Sequence, residues 1–430
     1  MSRPDTVVIL AAGQGTRMKT GWAKVLAPLC GRPLIAWVVD AALALDPARV
    51  LVVVGYKADE VEAAVAGLDP KGRVRCVLQQ PQNGTGHALQ VCLPELGADP
   101  GTTLVLYGDM PLLESESLRD LCAARAEAGC DAALLTAYVD HPRGFGRIVR
   151  DAEGGFERIV EERDASPEER DIDEVNLGVY AFEGKALVRE LPRLTNDNAQ
   201  KEFYLTDVVG ALVAAGRTVA TGTLSDEVEA IGVNTLAHLA EARAAMQDRL
   251  LEQHLAAGVY IEDPASTFID HGVTIGPRTR ILPCTVIRSG VTIGSDCEVG
   301  PFTHLRKGTV LEDGAEIGNF TEAKQSRLGA HSKAKHLSYL GDAEIGARVN
   351  IGAGTIFANY DGKAKRTSRV ADKSFVGSGT VLVAPCEVGE GATTGAGAVV
   401  TRNTVIPPGS TWVGVPARDI ARRARAGEGS

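Results

Sequence analysis

Gly13, Gly15, Arg17 and Lys24 fall close together, directly after the apolar run Val7-Val8-Ile9-Leu10. Glycines at the end of a strand let backbone N–H groups approach phosphate oxygens, and two nearby cations can neutralise a triphosphate. Two known phosphate loops are excluded. A dinucleotide fingerprint needs a third glycine where Met18 stands, and a Walker A loop needs a Gly-Lys-Ser/Thr ending that is absent. A tight strand-to-helix turn is the alternative that this spacing alone leaves open.

Such a loop needs a scaffold. Residues 1 to about 230 alternate apolar β runs (50–56, 103–109, 132–139) with segments of helical spacing (33–45, 116–129). That alternation predicts an α/β domain with a mostly parallel, Rossmann-like sheet and ligands at the carboxyl ends of its strands. Residues 234–257 contain no Gly or Pro and predict one long helix, capped by Asn234 or Thr235 and ended by Gly258. The expected organisation is a first domain over 1–232, a linker helix over 233–258 and a second domain over 259–430.

The second domain has a different grammar. Ile-Gly or Val-Gly recurs at 275, 293, 299, 317, 345, 351, 376 and 388. Most intervals are multiples of six; the exceptions, 28 and 25, read as loop insertions at a corner. A short fixed period means a solenoid, with one aliphatic residue per flat face pointing inward and glycine relieving the corners. Eighteen residues make one coil, so 270–410 is expected to build roughly seven. The segments 332–346 and 350–367 are rich in polar residues that a solenoid does not need, and both read as interruptions of the repeat.

The net charge of −10 argues against nonspecific binding to nucleic acid or an anionic membrane. No apolar run reaches 18 residues and no signal peptide precedes the first strand, which leads us to expect a cytoplasmic protein. The eight cysteines form no C-x-x-C pair, so small buried residues are expected rather than a zinc or disulfide framework.

The opening stretch "LAAGQGTRMKTGWAKVL" resembles the signature of sugar-nucleotide pyrophosphorylases, with Ala23 where that family usually has Pro. Further segments fall in the same order: "LQQPQNGTGHA", "LYGDMP", "GFGRIV", "IVEERDA", "VNLGVY", "NDNAQKEFYLTD" and "GVNT". The resemblance implies nucleotidyl transfer from UTP. Leu10, Ala11, Ala12, Gly13, Lys24, Gln79, Gly84, Thr85, Tyr107 and Gly108 are implied for the nucleotide. Gly146, Glu161 and Asn176 are implied for the sugar, and Asp109 and Asn234 for Mg²⁺. Arg17 and Lys24 then grip the triphosphate. The family's "NTG" is "NLG" here, with Leu177 in place of Thr.

The second half is similar to hexapeptide acyltransferases, a resemblance that implies a left-handed parallel β-helix and a homotrimer. "SKAKHLSYLGDAEIG" and "NIGAGTIFANYDGKAKRT" resemble the acetyltransferase half of bifunctional N-acetylglucosamine-1-phosphate uridylyltransferase/glucosamine-1-phosphate acetyltransferases. An imidazole titrating near about 6.5 suits removal of a proton from an amine, and the resemblance gives that role to His336. It implies Arg306, Lys324, Tyr339 and Asn350 for glucosamine 1-phosphate. It implies Ala353, Asn359, Tyr360, Ser378 and Ala396 for acetyl-CoA, with Arg418 of the "WVGVPAR" ending as a partner for CoA phosphate. The alternatives are a solenoid that only trimerises and a transferase specific for another nucleotide or sugar.

Overall fold

The computed structural model describes residues 3–198 and 200–420. Ala199 of the NDNAQKEFYLTD run and residues 421–430 of the expected second domain lie outside the described residues. Contacts divide the chain into two compact units, 1–245 and 246–430.

The first unit is built on a nine-stranded sheet. Along its main path run Val219–Thr223, Ala132–Tyr138, Glu174–Glu183, Thr102–Tyr107, Thr6–Leu10, Arg49–Val54 and Val74–Leu78. Glu174–Glu183 is antiparallel to both neighbours, and the other pairs along this path are parallel. The hairpin Gly146–Arg150 and Phe156–Val160 pairs onto it from the side. Val7, Val8 and Ile9 have no exposed surface, as a central strand covered on both faces requires. From Thr6–Leu10 the chain passes to Arg49–Val54 on one side and later returns to Thr102–Tyr107 on the other. This reversal opens a crevice at the strands' carboxyl ends.

The predicted long helix spans Leu236–Ala256, and the division between the units falls within it. Its cap is Thr235, whose hydroxyl accepts the His238 N–H at 3.2 Å, so Asn234 is left for other work. Gly258, at φ 84°, ends it; Val259 N–H reaches the His254 carbonyl and Gly258 N–H reaches Leu255, the Schellman pattern. Among the described residues no helix is long and apolar enough to cross a membrane.

The second unit is a left-handed parallel β-helix of three sheets. It starts at Tyr260, before the expected 270, and two of its sheets hold eight strands each rather than seven. The first two faces of the first coil, at Tyr260–Ile261 and Phe268–Ile269, lack the Ile/Val-Gly signal, and a 3₁₀ turn at Pro264–Ser266 makes the corner between them; the signal begins on the third face, at Ile275-Gly276. Each face contributes one buried side chain per coil, for example Ile287, Leu305, Ala323 and Leu340 down one face. Two successive coils take 17 residues, pairing Val310 with Arg327 and Arg327 with Glu344.

Only one of the expected interruptions is an insertion. Glu344 pairs with Arg369, 25 residues on, and the extra residues form a loop after Ala358. Residues 332–346 remain a regular coil: Lys333 and His336 face outward while Ala334 and Leu340 stay inside. The Arg418–Asp419 strand turns back antiparallel on Thr411–Val413, and Trp412 packs against the core. The eight cysteines are free, but Cys284 is exposed at a corner and Cys76 is half-buried, so these two depart from the expected burial.

Buried hydroxyls fasten coil to coil. Thr279 donates to the Gly294 carbonyl (2.7 Å), Ser332 to Gly346 (2.6 Å) and Ser374 to Gly389 (2.8 Å). Ser332 also accepts the Val349 N–H at 2.8 Å. Ser332→Ala strands both groups and should lower stability by about 1–3 kcal/mol in chemical denaturation; an unchanged midpoint would refute the staple.

Candidate functional site

The first unit carries a cavity of about 290 Å³ at the crevice. Leu10, Ala11, Ala12, Gly13, Lys24, Gln79, Gly84, Thr85, Tyr107 and Asp109 line it, together with Gln82 and Glu202, which the sequence reading missed. The two glycines of the opening loop do different work. Gly13 has open space where a Cβ would stand. Gly15 sits at φ 70°, and a Cβ there would lie 2.5 Å from the Lys24 Cβ, so it makes room for the lysine stem. Ala23 has φ −64° and ψ 134°, the backbone that proline would impose, so the departure from Pro leaves the approach to Lys24 unchanged.

Three chain segments, the opening loop and those carrying Asp109 and Asn234, meet around one cation. The Lys24 ammonium donates to the Asp109 carboxylate and to Asn234 Oδ1, the latter at 3.1 Å. Arg17 donates to the same Asn234 oxygen at 2.8 Å. A carboxylate and an amide oxygen therefore already converge on a positive charge. That donor set suits a hard divalent cation completed by phosphate and water oxygens. No cluster of three or more His, Cys, Asp or Glu able to hold a metal occurs among the described residues.

Phe203 and Leu205 hold the end of the cavity where Gln79, Gly84 and Thr85 lie. Phe203 N–H donates to the Asn83 carbonyl, Gly86 N–H to Phe203, and Leu205 N–H to the Thr85 hydroxyl. Gly84, at φ 102°, has no room for a Cβ, which would lie 2.6 Å from the Phe203 carbonyl oxygen. Gln79 Nε2 donates to the Gly84 carbonyl (2.9 Å) and lies 3.2 Å from His87 Nδ1, and its Oε1 has no hydrogen-bond partner among the described residues.

The sugar-segment residues cluster next to the cavity rather than lining it. Gly146, on the first strand of the hairpin, pairs with Asn176 of the strand Glu174–Glu183. Asn176 donates to the buried Tyr180 hydroxyl (2.7 Å) and accepts Gly178 N–H (3.1 Å). Gly178 lies under Tyr107, where a Cβ would come within 2.3 Å of the ring. Leu177, the position of the family's hydroxyl, is buried. Gly108 packs on Ile35. Burial raises the pKa of Tyr107, with Glu161 and Asp109 adding to the effect. Glu161 accepts from Thr206 Oγ1 at 3.2 Å; burial raises its pKa, and Asp164 and Asp207 push the same way.

The second unit's residues are ordered by the coil register. Lys333 pairs with Asn350, Asn350 with Phe375 and Phe375 with Thr393. Three residues on from each stand His336, Ala353, Ser378 and Ala396, one column along a single corner. Gly379 N–H bonds the Ala353 carbonyl and Gly397 N–H bonds Ser378, which continues the ladder. His336 is exposed, and no side-chain partner of its ring occurs among the described residues. Tyr339 lies on the face after this corner, and Asn350 on the face before it.

Arg306 and Lys324 stand in register at the far end of Tyr339's face. Arg306 is paired with Glu322 at 2.7 Å. Lys365, missed in the sequence, lowers the pKa of Lys324; Arg306 adds to this and Asp342 opposes it. This is an exposed concentration of positive charge. Asn359 is buried and donates to Asp342. Tyr360 is exposed, its hydroxyl on the Gly362 carbonyl. Asp361 closes this loop by accepting Lys363 and Ala364 N–H, and those bonds, with Arg402, lower its pKa to about 2. Arg418 is exposed on the turned-back strand, bonded to its neighbour's carbonyl.

Fold and cleft together define a nucleotidyltransferase unit joined to a left-handed parallel β-helix. Residues 7–208 match the MobA-like NTP transferase domain family. Over nearly its whole length the chain is similar to proteins named Bifunctional protein GlmU. Identity is 42% to that of Streptomyces avermitilis (96% of this chain, 92% of the relative). It is 44% to that of Pelobacter propionicus (94% and 94%) and 45% to that of Paraburkholderia phymatum (92% and 94%). The chain belongs to the GlmU family of bifunctional proteins.

The raised Glu161 pKa has a thermodynamic consequence. A carboxyl whose folded-state pKa stands above its unfolded value contributes stability below the unfolded pKa and loses it as pH rises through the folded one. Glu161→Gln should therefore melt above wild type at about pH 7.5 and converge with it below about pH 4. Parallel melting curves at both pH values would contradict the burial cost.

Proposed function

We propose that this chain makes UDP-N-acetylglucosamine in two steps, each in its own unit. In the second unit the amine of glucosamine 1-phosphate attacks the thioester carbonyl of acetyl-CoA. The C–N bond forms, the C–S bond breaks and CoA leaves as the thiol. His336 takes the proton that the amine loses and returns it to the departing sulfur. The backbone at Ala353 stabilises the oxyanion, and Arg306 and Lys324, with Lys365, hold the sugar phosphate. Tyr339 and Asn350 flank the sugar. The small side chains at Ala353, Ser378 and Ala396 leave the corner open for the CoA arm. Asn359 and Tyr360 border that arm from the inserted loop, and Arg418 is assigned to a CoA phosphate.

In the first unit a phosphate oxygen of N-acetylglucosamine 1-phosphate attacks the α-phosphorus of UTP, and pyrophosphate leaves. No side-chain nucleophile is needed, so the protein's work is positioning and charge neutralisation. Gln79, Gly84 and Thr85 border the uracil, and Gly146, Glu161 and Asn176 border the sugar. Arg17 and Lys24 take up the charge of the departing pyrophosphate. Asp109 and Asn234 are the residues for Mg²⁺, which supplies further neutralisation of the phosphate oxygens when bound.

The observation that carries this reading is that one chain presents two separate sets: oxygens and cations converging at Lys24, and the open histidine corner at His336. A coupled assay tests it. UDP-N-acetylglucosamine should form only with acetyl-CoA, glucosamine 1-phosphate, UTP and Mg²⁺ all present. His336→Ala should slow acetyl-CoA-dependent thiol release by about 10²-fold or more and leave uridylyl transfer intact, while Asp109→Ala does the reverse. Activity with GTP or dTTP but not UTP would overturn the assignment.

The reading extends to a cytoplasmic homotrimer formed through the β-helix. Phe302 and Phe320 stack at 5.0 Å on consecutive coils, and Phe320 and Leu337 are 60% and 62% exposed. This apolar column runs beside the His336 corner, where covering it with another copy favours association. Sedimentation should give three times the 45.2 kDa chain mass. Phe320→Glu should dissociate the assembly and abolish acetyl transfer while sparing uridylyl transfer. A monomeric wild type would rule the trimer out.

A further inference from the structure

We infer that the Lys24 ammonium is the free enzyme's own occupant of its divalent-cation position, so that metal enters only as the nucleotide draws Lys24 away. The inference rests on the reading of Asp109 and Asn234 as the metal's protein ligands. Both residues give their oxygens to one nitrogen: Lys24 Nζ donates to the Asp109 carboxylate and to Asn234 Oδ1. The pair is largely shielded, with 18% of the Lys24 side chain exposed and 10% of that of Asp109. Shielding strengthens the attraction between them and the repulsion of a second cation placed there.

An ammonium and a divalent cation cannot share the same two oxygens. Metal binding therefore requires Lys24 to leave. A departing lysine needs another anion, because a poorly solvated cation left unpaired is costly. No carboxylate besides Asp109 is paired with Lys24 among the described residues. The triphosphate of the nucleotide is the anion that the proposed reaction brings to Lys24. The stem does not have to move far. It is packed against Gly15, where even a Cβ would lie 2.5 Å from the Lys24 Cβ, so only the outer torsions are free to redirect the ammonium. Metal and nucleotide then assist each other's binding, and the linkage is reciprocal.

Arg17 offers an internal comparison. It touches Asn234 Oδ1 but not Asp109, and it is exposed. Removing Arg17 deletes the same unit of charge nearby while leaving Lys24 in place. A pure field effect treats the two residues alike; occupancy does not.

The test is Mn²⁺ binding to the full chain, followed by electron paramagnetic resonance of free Mn²⁺, with and without UTP and with no sugar phosphate present. Thermal melts would confirm that each variant is folded. Without nucleotide, Lys24→Met should bind Mn²⁺ about tenfold or more tightly than wild type. Arg17→Met should change affinity by less than about threefold. UTP should tighten Mn²⁺ binding strongly in wild type and much less in Lys24→Met. If Lys24→Met binds no tighter than wild type, or Arg17→Met gains as much, the occupancy is wrong. Asp109→Asn separates this from failure of the metal reading. Should it leave Mn²⁺ binding with UTP intact, Asp109 is not a ligand and both ideas fall. Should it abolish that binding while Lys24→Met gains nothing, only the role given to Lys24 falls.

Discussion

The candidate cleft of the first unit depends on one charge held by two oxygens. Residues 24, 109 and 234 are far apart in the chain, and the Lys24 ammonium is where they become a single site. The parallel strands Thr6–Leu10 and Thr102–Tyr107 deliver the opening loop and Asp109 side by side. Thr235 takes over the capping of the long helix and releases Asn234 to turn its oxygen toward Arg17 and Lys24. Ordinary secondary-structure requirements thus set the electrostatics. Each strand ends where its backbone bonding ends, and the polar side chain just beyond is free to point into the crevice.

The second unit aligns its candidate site residues through repetition. A solenoid corner must bend the backbone sharply, and in the column after His336 the bend falls at Leu337, Gly354, Gly379 and Gly397, all with positive φ. The residues just before these bends form a straight ladder because the coils are in register. His336 and the small residues above it are consequently aligned along the β-helix by the rule that stacks Ile287 on Leu305 inside. Core and site obey one period, and an insertion at one corner adds polar residues without shifting the aliphatic layers.

Several of these features were legible in the sequence. The continuous apolar runs marked the buried strands, and Lys24, Asp109 and Asn234 were marked by motif order. The Ile/Val-Gly period marked the solenoid from Ile275 on, though not the first two faces of the first coil, where a 3₁₀ turn makes the corner. Polar residues misled the reading at 332–346: Lys333 and His336 look like an interruption until alternation puts them on the outside. Other contributions have no local signature. Gly178 matters because Tyr107 lies over it, and Ser332 because Gly346 and Val349 come to it from the next coil. Lys365 reads as one basic residue in a basic loop until folding brings it to Lys324. These are properties of pairs far apart in the chain, which spacing within a segment cannot express.

The turned-back strand at the end of the solenoid has a consequence beyond closing a core. Successive parallel coils leave a ladder of unsatisfied N–H and C=O groups at an open end, and such an edge can recruit the matching edge of another chain. Here Arg418–Asp419 runs antiparallel against Thr411–Val413, and Gly414 and Ala417 bond Val399 on the adjoining face. A further parallel coil cannot add in register to a strand running the other way. A fold whose geometry is that of an endless fibre is made finite by a reversal of chain direction, and the reversal works as a stop codon does, by being unreadable in the grammar of the repeat.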